Sequence, residues 1–359
     1  MKQINLQVAI NSLGYGVVGY NVHQQLNQTE DVTLWPIGGQ VQPPCEISEI
    51  GVQQIKIDIG KQNTFDPTLP FLKIWHENQL AERIGSGRYS ALSFFEVNKF
   101  DDRRKSHLLS LDNIIVPSRW AGDIVFDQCH VKPAVVPMGV NRDIFNESFN
   151  TIQPHRCIFF NCGKWEVRKG HDILGEAFKD AFSNQTNVEL WLMTENPFLN
   201  ADERRYWENL YRGDRRIKIM SRVQYQEELA QIMSQVHCGV FPARAEGWNL
   251  ELLELMSMGK QVITTNYSAH TEFCTEANAR LISIVDEEPM FDGKWFTGDC
   301  GVWASLDDQP YDQLVTHLQD EYKSWVNDPT VLNTAGIETA ENLTWNKTAT
   351  RLLEIAAHD

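Results

Sequence analysis

Short apolar runs rich in β-branched and aromatic residues alternate with helix-like segments along nearly the whole chain, and this alternation confines it to α/β units built on parallel sheets. Strand candidates in the first half lie at residues 6–10, 32–36, 71–75, 91–95, 114–116 and 134–136. A polar stretch over 141–155 has no strong period, and a second series follows at 157–160, 189–193, 217–220, 239–241 and 261–265. Two Rossmann-like sheets in tandem are therefore expected, facing each other across a cleft. The length of 359 residues agrees, because a single core stops growing at roughly 250–300 residues. The expected divisions are an N-terminal domain over 1–145, a C-terminal domain over 146–335 and a last segment over 336–359. That segment holds an amphipathic helix candidate near 342–357, which could cross back to the N-terminal domain.

Charge narrows the partners. A formal net charge of −16 opposes any broad polyanion surface, and the basic runs Arg103-Arg104-Lys105 and Arg215-Arg216 are flanked by Asp101, Asp102 and Asp214. Nucleic acid is disfavoured on this ground. Residues 1–10 alternate like a first strand rather than forming the apolar block of a signal peptide, and no run approaches the roughly 20 apolar residues that span a bilayer. Membrane contact would be peripheral at most. The seven cysteines are scattered and show no C-x-x-C pairing, which fits buried thiols in a reducing, cytoplasmic setting.

Gly14-Tyr15-Gly16-Val17-Val18-Gly19 fits G-x-G-x-x-G after a strand, the pattern of a dinucleotide site. Such a site needs a carboxylate about 20 residues on to hold a ribose hydroxyl, and residues 33–39 contain none. Two readings stay open for these glycines. Gly14 and Gly16 let the backbone approach a phosphate, or they form a tight turn that packs a helix onto the sheet.

The most informative stretch is EGWNLELLELMSMGKQVI, residues 246–263, which reads as loop, helix, glycine stop and strand. Asn249 is a helix N-cap candidate and Gly259 a stop. The amides of Gly247, Trp248, Asn249 and Leu250 are then expected to lack intrahelical partners at the carboxyl edge of the sheet, where they suit a diphosphate. Glu246 precedes the helix and Glu254 lies two turns into it, one placed beside phosphates and the other toward ribose hydroxyls. A second strand, basic loop and helix run through Asn161-Cys162-Gly163-Lys164-Trp165-Glu166-Val167-Arg168-Lys169-Gly170-His171, with Lys164 and Lys169 at its ends.

These two stretches together resemble the retaining glycosyltransferases of family 4, with the GT-B fold. Residues 246–263 are similar to that family's E-x7-E motif, and Gly163, Lys164 and Lys169 to its G-R-x(4–5)-K-G loop, with Lys164 where arginine is usual. Val116-Pro117-Ser118 and Val136-Pro137-Met138-Gly139-Val140-Asn141 also look like family segments, with Asn141 where aspartate is usual. The resemblance implies a nucleotide-diphosphate-sugar donor and a saccharide, lipid-linked or other hydroxyl acceptor. It implies retention at the sugar and a departing diphosphate stabilised by Lys164, Lys169 and the helix N-terminus at 247–250. Val223 would lie beside the nucleobase, and Glu246 would join the catalytic group.

Family members carry a histidine at a strand end of the first domain. Here His76 and Glu96 compete for that place, chain order favouring Glu96, while His171 and His270 rank lower. No D-x-D flanked by strands and no tight metal-ligand cluster appears in the sequence, so neither metal nor cofactor is expected. Competing readings are a catalytically silent nucleotide-sugar or glycan binder and a transferase acting on modified nucleic-acid bases. A phosphorylase is a third, for which the chain is short.

Overall fold

In the computed structural model, which describes residues 3–151 and 153–357, the strands of each half hydrogen-bond into a six-stranded, wholly parallel sheet. The first holds β1 Gln3–Ile10, β2 Asp31–Val41, β3 Phe71–Ile74, β4 Tyr89–Leu92, β5 Asn113–Val116 and β6 Ala134–Val135. The second holds β7 Cys157–Cys162, β8 Val188–Met193, β9 Ile217–Ile219, β10 Cys238–Phe241, β11 Gln261–Thr265 and β12 Arg280–Ile282. β7 and β10 are buried along their whole length, as apolar strands covered by helices on both faces must be.

The orders are β2-β1-β3-β4-β5-β6 and β12-β11-β10-β7-β8-β9. The second is the doubly wound dinucleotide-fold order read from its far edge. Each order reverses once, between β1 and β3 in the first sheet and between β7 and β10 in the second. At a reversal the crossovers leave for opposite faces, and the loops after the two central strands part to leave a crevice at the carboxyl edge.

The chain divides into two compact units, Met1–Asn141 with Gln224–Glu228 and Leu343–Asp359, and Arg142–Val223 with Leu229–Asn342. Helix Thr334–Asn342 packs on helix Leu250–Ser257 in the second unit, and helix Trp345–Ala357 packs on helix Gly14–Leu26 in the first. The Val140 amide donates to Leu343 O (3.0 Å), Thr348 Oγ1 donates to Pro137 O (2.8 Å), and a Cβ on Gly139 would stand 2.2 Å from Trp345 N. The Pro-Met-Gly-Val turn is therefore a seat for the last helix.

Three features depart from expectation. β4 starts and ends earlier than residues 91–95, so Ser93 to Glu96 form a loop beyond its end. β12 spans three residues and begins on a charged one, too short to read as an apolar run. It is followed by an antiparallel hairpin, β13 Glu287–Phe291 and β14 Thr297–Ala304, whose half-exposed strands carry little apolar signal. All seven cysteines are free thiols, and all but the half-buried Cys300 are buried.

Candidate functional site

In the second unit the reversal brings together the loops that leave β7 and β10, and both are built from charge. After β7, Gly163 packs under the Lys169 stem, where a Cβ would lie 2.8 Å from Lys169 Cδ. The turn Val167–Lys169 then presents Arg168 and Lys169 to the β10 loop. Lys169 Nζ donates to Glu246 Oε1 at 2.7 Å, and Arg168 reaches Glu246 Oε2 at 2.9 Å. Arg168 also grips Glu166 Oε2 through Nε (3.1 Å) and a terminal nitrogen (2.7 Å), and donates to Ala245 O. Lys164 Nζ lies 3.2 Å from Glu166 Oε1 and 5.7 Å over the Phe198 ring.

Three cations thus face two buried carboxylates across these loops. Burial alone would raise the Glu246 carboxyl, but Arg168 and Lys169 outweigh it and hold Glu246 well below the usual carboxylate range. The same contest lowers Glu166, through Arg168 and Lys164, and Lys169 is raised against its burial by Glu246. Glu246 is therefore a permanent anion near neutral pH. It orients Lys169 and accepts hydrogen bonds but does not take up a proton, which narrows the catalytic part expected of it.

The loops are fixed by buried side chains, of which Arg244 carried no signal in the sequence. Arg244 donates to both Asp172 oxygens (2.8 and 2.9 Å) and to Glu288 (2.7 Å), tying the β10 loop to helix His171–Ala181 and to the hairpin. His171 Nδ1 accepts from the Glu166 amide (3.2 Å), so its Nε2–H donates to Asn161 Oδ1 (2.8 Å). Burial, and Lys169 nearby, push His171 down to about 3, and burial pushes His270 down to about 4. Both rings are neutral braces.

Helix Leu250–Ser257 begins directly after Asn249, the expected N-cap. Gly247 and Trp248 lie in the preceding loop. Asn249 is the N-cap at φ +94°, a left-handed conformation that asparagine tolerates. Its Oδ1 accepts from the Leu252 amide (3.2 Å) and its Nδ2 donates to His270 Nε2 (3.0 Å), so the side chain faces inward. The Leu250 and Glu251 amides remain as first-turn donors. Trp248 is buried with its ring 4.8 Å from that of Phe273, leaving no exposed face.

Glu254 is buried in this helix. Beside the buried Cys162 thiol stand Glu251 and Glu254, which add to the effect of burial in raising it, and Lys169 and Arg222, which oppose them. The second glutamate is thereby gathered with Lys169 and Arg222 at the end of β7. Val223, next to Arg222, is half-buried in the loop between β9 and helix Gln226–Ser234. Arg222 carried a readable signal, a cation in the segment expected beside the base.

In the first unit the reversal gathers different chemistry. The Tyr15 ring packs 4.5 Å from His76, 5.3 Å from Trp75 and 5.2 Å from Phe94. Its hydroxyl donates to Phe94 O (2.9 Å) and accepts from Phe94 N (3.1 Å). Burial, then Glu77 and Glu96, raise that hydroxyl well above its ordinary value, so both carboxylates lie close to it. Glu77 is itself raised by burial although Arg104 bonds it at 2.8 Å. His76 and Glu96 share this edge, the first exposed and the second half-buried, and Tyr15 and Glu77 join them unforeseen.

The two glycine readings now separate. A Cβ on Gly16 would stand 2.3 Å from Asn11 Oδ1 and 2.4 Å from Asn11 N, so this glycine lets the helix begin against the end of β1. A Cβ on Gly14 would meet open space. Among the described residues no group of three or more His, Cys, Asp or Glu could hold a metal ion, and no helix is long and apolar enough to cross a membrane.

With this geometry in hand, comparison with known proteins is informative. Residues 156–292 match a family model described as glycosyl transferases group 1, a stretch holding both charged loops and the helix Leu250–Ser257. A search of curated proteins found no match. Similar solved structures include the sucrose-phosphate synthase of Thermosynechococcus elongatus (TM-score 0.69, 15% identity, covering 99% of this chain and 98% of that one). A glycosyltransferase from Rickettsia africae matches at TM-score 0.69 and 13% identity over 99% and 97% of the two chains. An E. coli trehalose-6-phosphate structure bound with UDP-2-fluoro glucose matches at TM-score 0.71 and 9% identity over 100% and 99%. The fold is accordingly that of GT-B glycosyltransferase structures, an α/β chain of two parallel-sheet, Rossmann-like domains.

Proposed function

We propose that this protein is a retaining glycosyltransferase that moves a sugar from a nucleotide-diphosphate-sugar to an acceptor hydroxyl without a divalent metal. The observation that carries the reading is the Lys169–Glu246 pair at 2.7 Å, set where the second sheet reverses and beside the helix that holds Glu254. Lys169 commits one of its three N–H bonds to Glu246, leaving two for phosphate oxygens. Lys164, 39% exposed, adds a solvent-accessible charge, and the Leu250 and Glu251 amides add the positive end of a helix.

Negative charge grows on the diphosphate as the bond to the sugar breaks, so cations and amides aimed there stabilise the transition state more than the ground state. Glu254 accepts ribose hydroxyls, and Val223 with Arg222 flanks the base. Glu246 stays ionised and holds Lys169, so the acceptor proton goes to the departing diphosphate. The acceptor is a saccharide, a lipid-linked sugar or another hydroxyl compound, and its side of the reaction falls to Glu96 and His76.

The test is a thermal-shift screen with nucleoside diphosphates and their sugar conjugates in EDTA, followed by the anomeric configuration of the product by NMR. A ligand at about a hundred times its dissociation constant stabilises by about 3 kcal/mol. One nucleotide series should do so, Glu254→Ala should lose the effect, and the product should keep the donor's anomeric configuration. A folded protein that responds to no nucleotide would overturn the reading, and hydrolysis-free binding without transfer would reduce it to a silent binder.

A further inference from the structure

At the amino edge of the second sheet, opposite the charged loops, lies a cavity of about 50 Å³. A water needs roughly 10–15 Å³ of such space, so the cavity has room for about three to five water-sized groups, enough for one phosphate. Arg156, His237 and Lys260, which directly precede β7, β10 and β11, all line it. Among the described residues no aspartate or glutamate does, although the protein carries a net charge of −16. The lining also includes the buried Val236 and Trp325, while Arg156 is exposed to solvent.

Lys260 is 7% exposed, and its Nζ makes one hydrogen bond, to Ser234 O at 2.7 Å. The Thr151 amide shares that carbonyl at 3.0 Å. Burial pushes the Lys260 ammonium down to about 7. The neighbouring acids pair with the other two lining cations and with groups beyond them, and none bonds Lys260. Glu189 bonds Arg156, Lys218 and Trp191, and Glu321 lies 3.4 Å from His237 Nε2 and bonds Arg280. Asn150, also in the lining, donates through Nδ2 to Met258 O at 2.7 Å, while its buried Oδ1 has no hydrogen-bond partner.

We propose that this cavity is a second anion site, which holds a single phosphate group between Lys260 and Arg156. A buried ammonium with two unused N–H bonds wants an anion. The orphaned Asn150 oxygen wants a donor, and a hydrogen phosphate or monoester monoanion supplies both, since it accepts on its oxygens and donates from its remaining O–H. The site is independent of any nucleotide at the opposite edge.

The test is calorimetric and thermal-shift titration of the full chain with inorganic phosphate, against chloride at matched ionic strength, with no nucleotide present. Phosphate should bind the wild type, and Lys260→Met should abolish the part of that binding which Lys164→Gln leaves in place. Arg156→Gln should weaken it several-fold, and Lys164→Gln should leave it unchanged. Because binding requires a charged Lys260, affinity should fall about tenfold from pH 6 to pH 8. A glucose 6-phosphate arm identifies the source, tighter binding than phosphate meaning a sugar phosphate and equal or weaker binding meaning the free ion. If Lys260→Met and Arg156→Gln both leave phosphate binding at the wild-type level, or if Lys164→Gln removes all of it, the ion sits elsewhere and the proposal is overturned.

Discussion

The two sheets reverse in the same way and put opposite chemistry at the reversal. In the second unit the edge carries Lys164, Arg168 and Lys169 paired with Glu166 and Glu246. In the first unit the edge carries the rings of Tyr15, Trp75 and His76 beside Glu77 and Glu96. Parallel topology alone makes a crevice, and side chains decide what enters it. A cationic edge suits a diphosphate. An edge of aromatic faces and carboxylates suits hydroxyl-bearing, uncharged molecules, whose C–H faces stack on rings and whose hydroxyls donate to carboxylates.

The sharpest way to break this contrast is to remove the central cation. Lys169→Met should lower transfer by about 10²–10³-fold and destabilise the fold by about 3–5 kcal/mol, because Glu246 is left buried with one partner fewer. The double variant Lys169→Met, Glu246→Gln should recover much of the stability and none of the activity. Recovery of both, in urea melts and rate assays, would mean the pair serves only the fold.

Two local geometries come next. Gly16→Ala should cost about 1–3 kcal/mol, since its Cβ cannot fit against Asn11, whereas Gly14→Ala should leave stability nearly unchanged. Asn249→Ala should cost about 1–2 kcal/mol at φ +94°, and Asn249→Gly distinctly less; equal costs would argue that the bond to His270, not the backbone, matters.

The cavity lysine offers a pH test of about 1–3 kcal/mol. Its folded value lies below the ordinary lysine value, so the cost of charging it is fully present below about pH 7 and is lost as pH rises toward the ordinary range. Lys260→Met should therefore stabilise the protein, more at pH 6 than at pH 9. The smallest effect is expected in the first unit. Tyr15→Phe should cost about 1 kcal/mol through its lost bonds to Phe94 and leave nucleotide binding unchanged. If it weakened nucleotide binding as much as Lys169→Met, the division between the two edges would fail.

Local order was legible in the residues themselves. Apolar runs marked the strands, Asn249 and Gly259 bracketed the helix Leu250–Ser257, and the spacing of Glu246 and Glu254 singled out its surroundings. These rest on interactions among neighbours in the chain, so a one-dimensional pattern carries them. The hairpin β13–β14 was not legible, because its strands are half-exposed and its anchor is Arg244, far away in sequence.

What the sequence determined by itself is the alternation that makes two parallel sheets and the identity of the charged loops. Only the tertiary structure decided what those charges do. Glu246 is a fixed anion because Lys169 reaches it across 77 residues of chain, with Arg168 beside it, Asn249 turns inward because His270 waits there, and Lys260 is stranded because burial strips its water and leaves it the Ser234 carbonyl. Each outcome depends on burial and on partners remote in sequence, and the free energy of a charge depends on both.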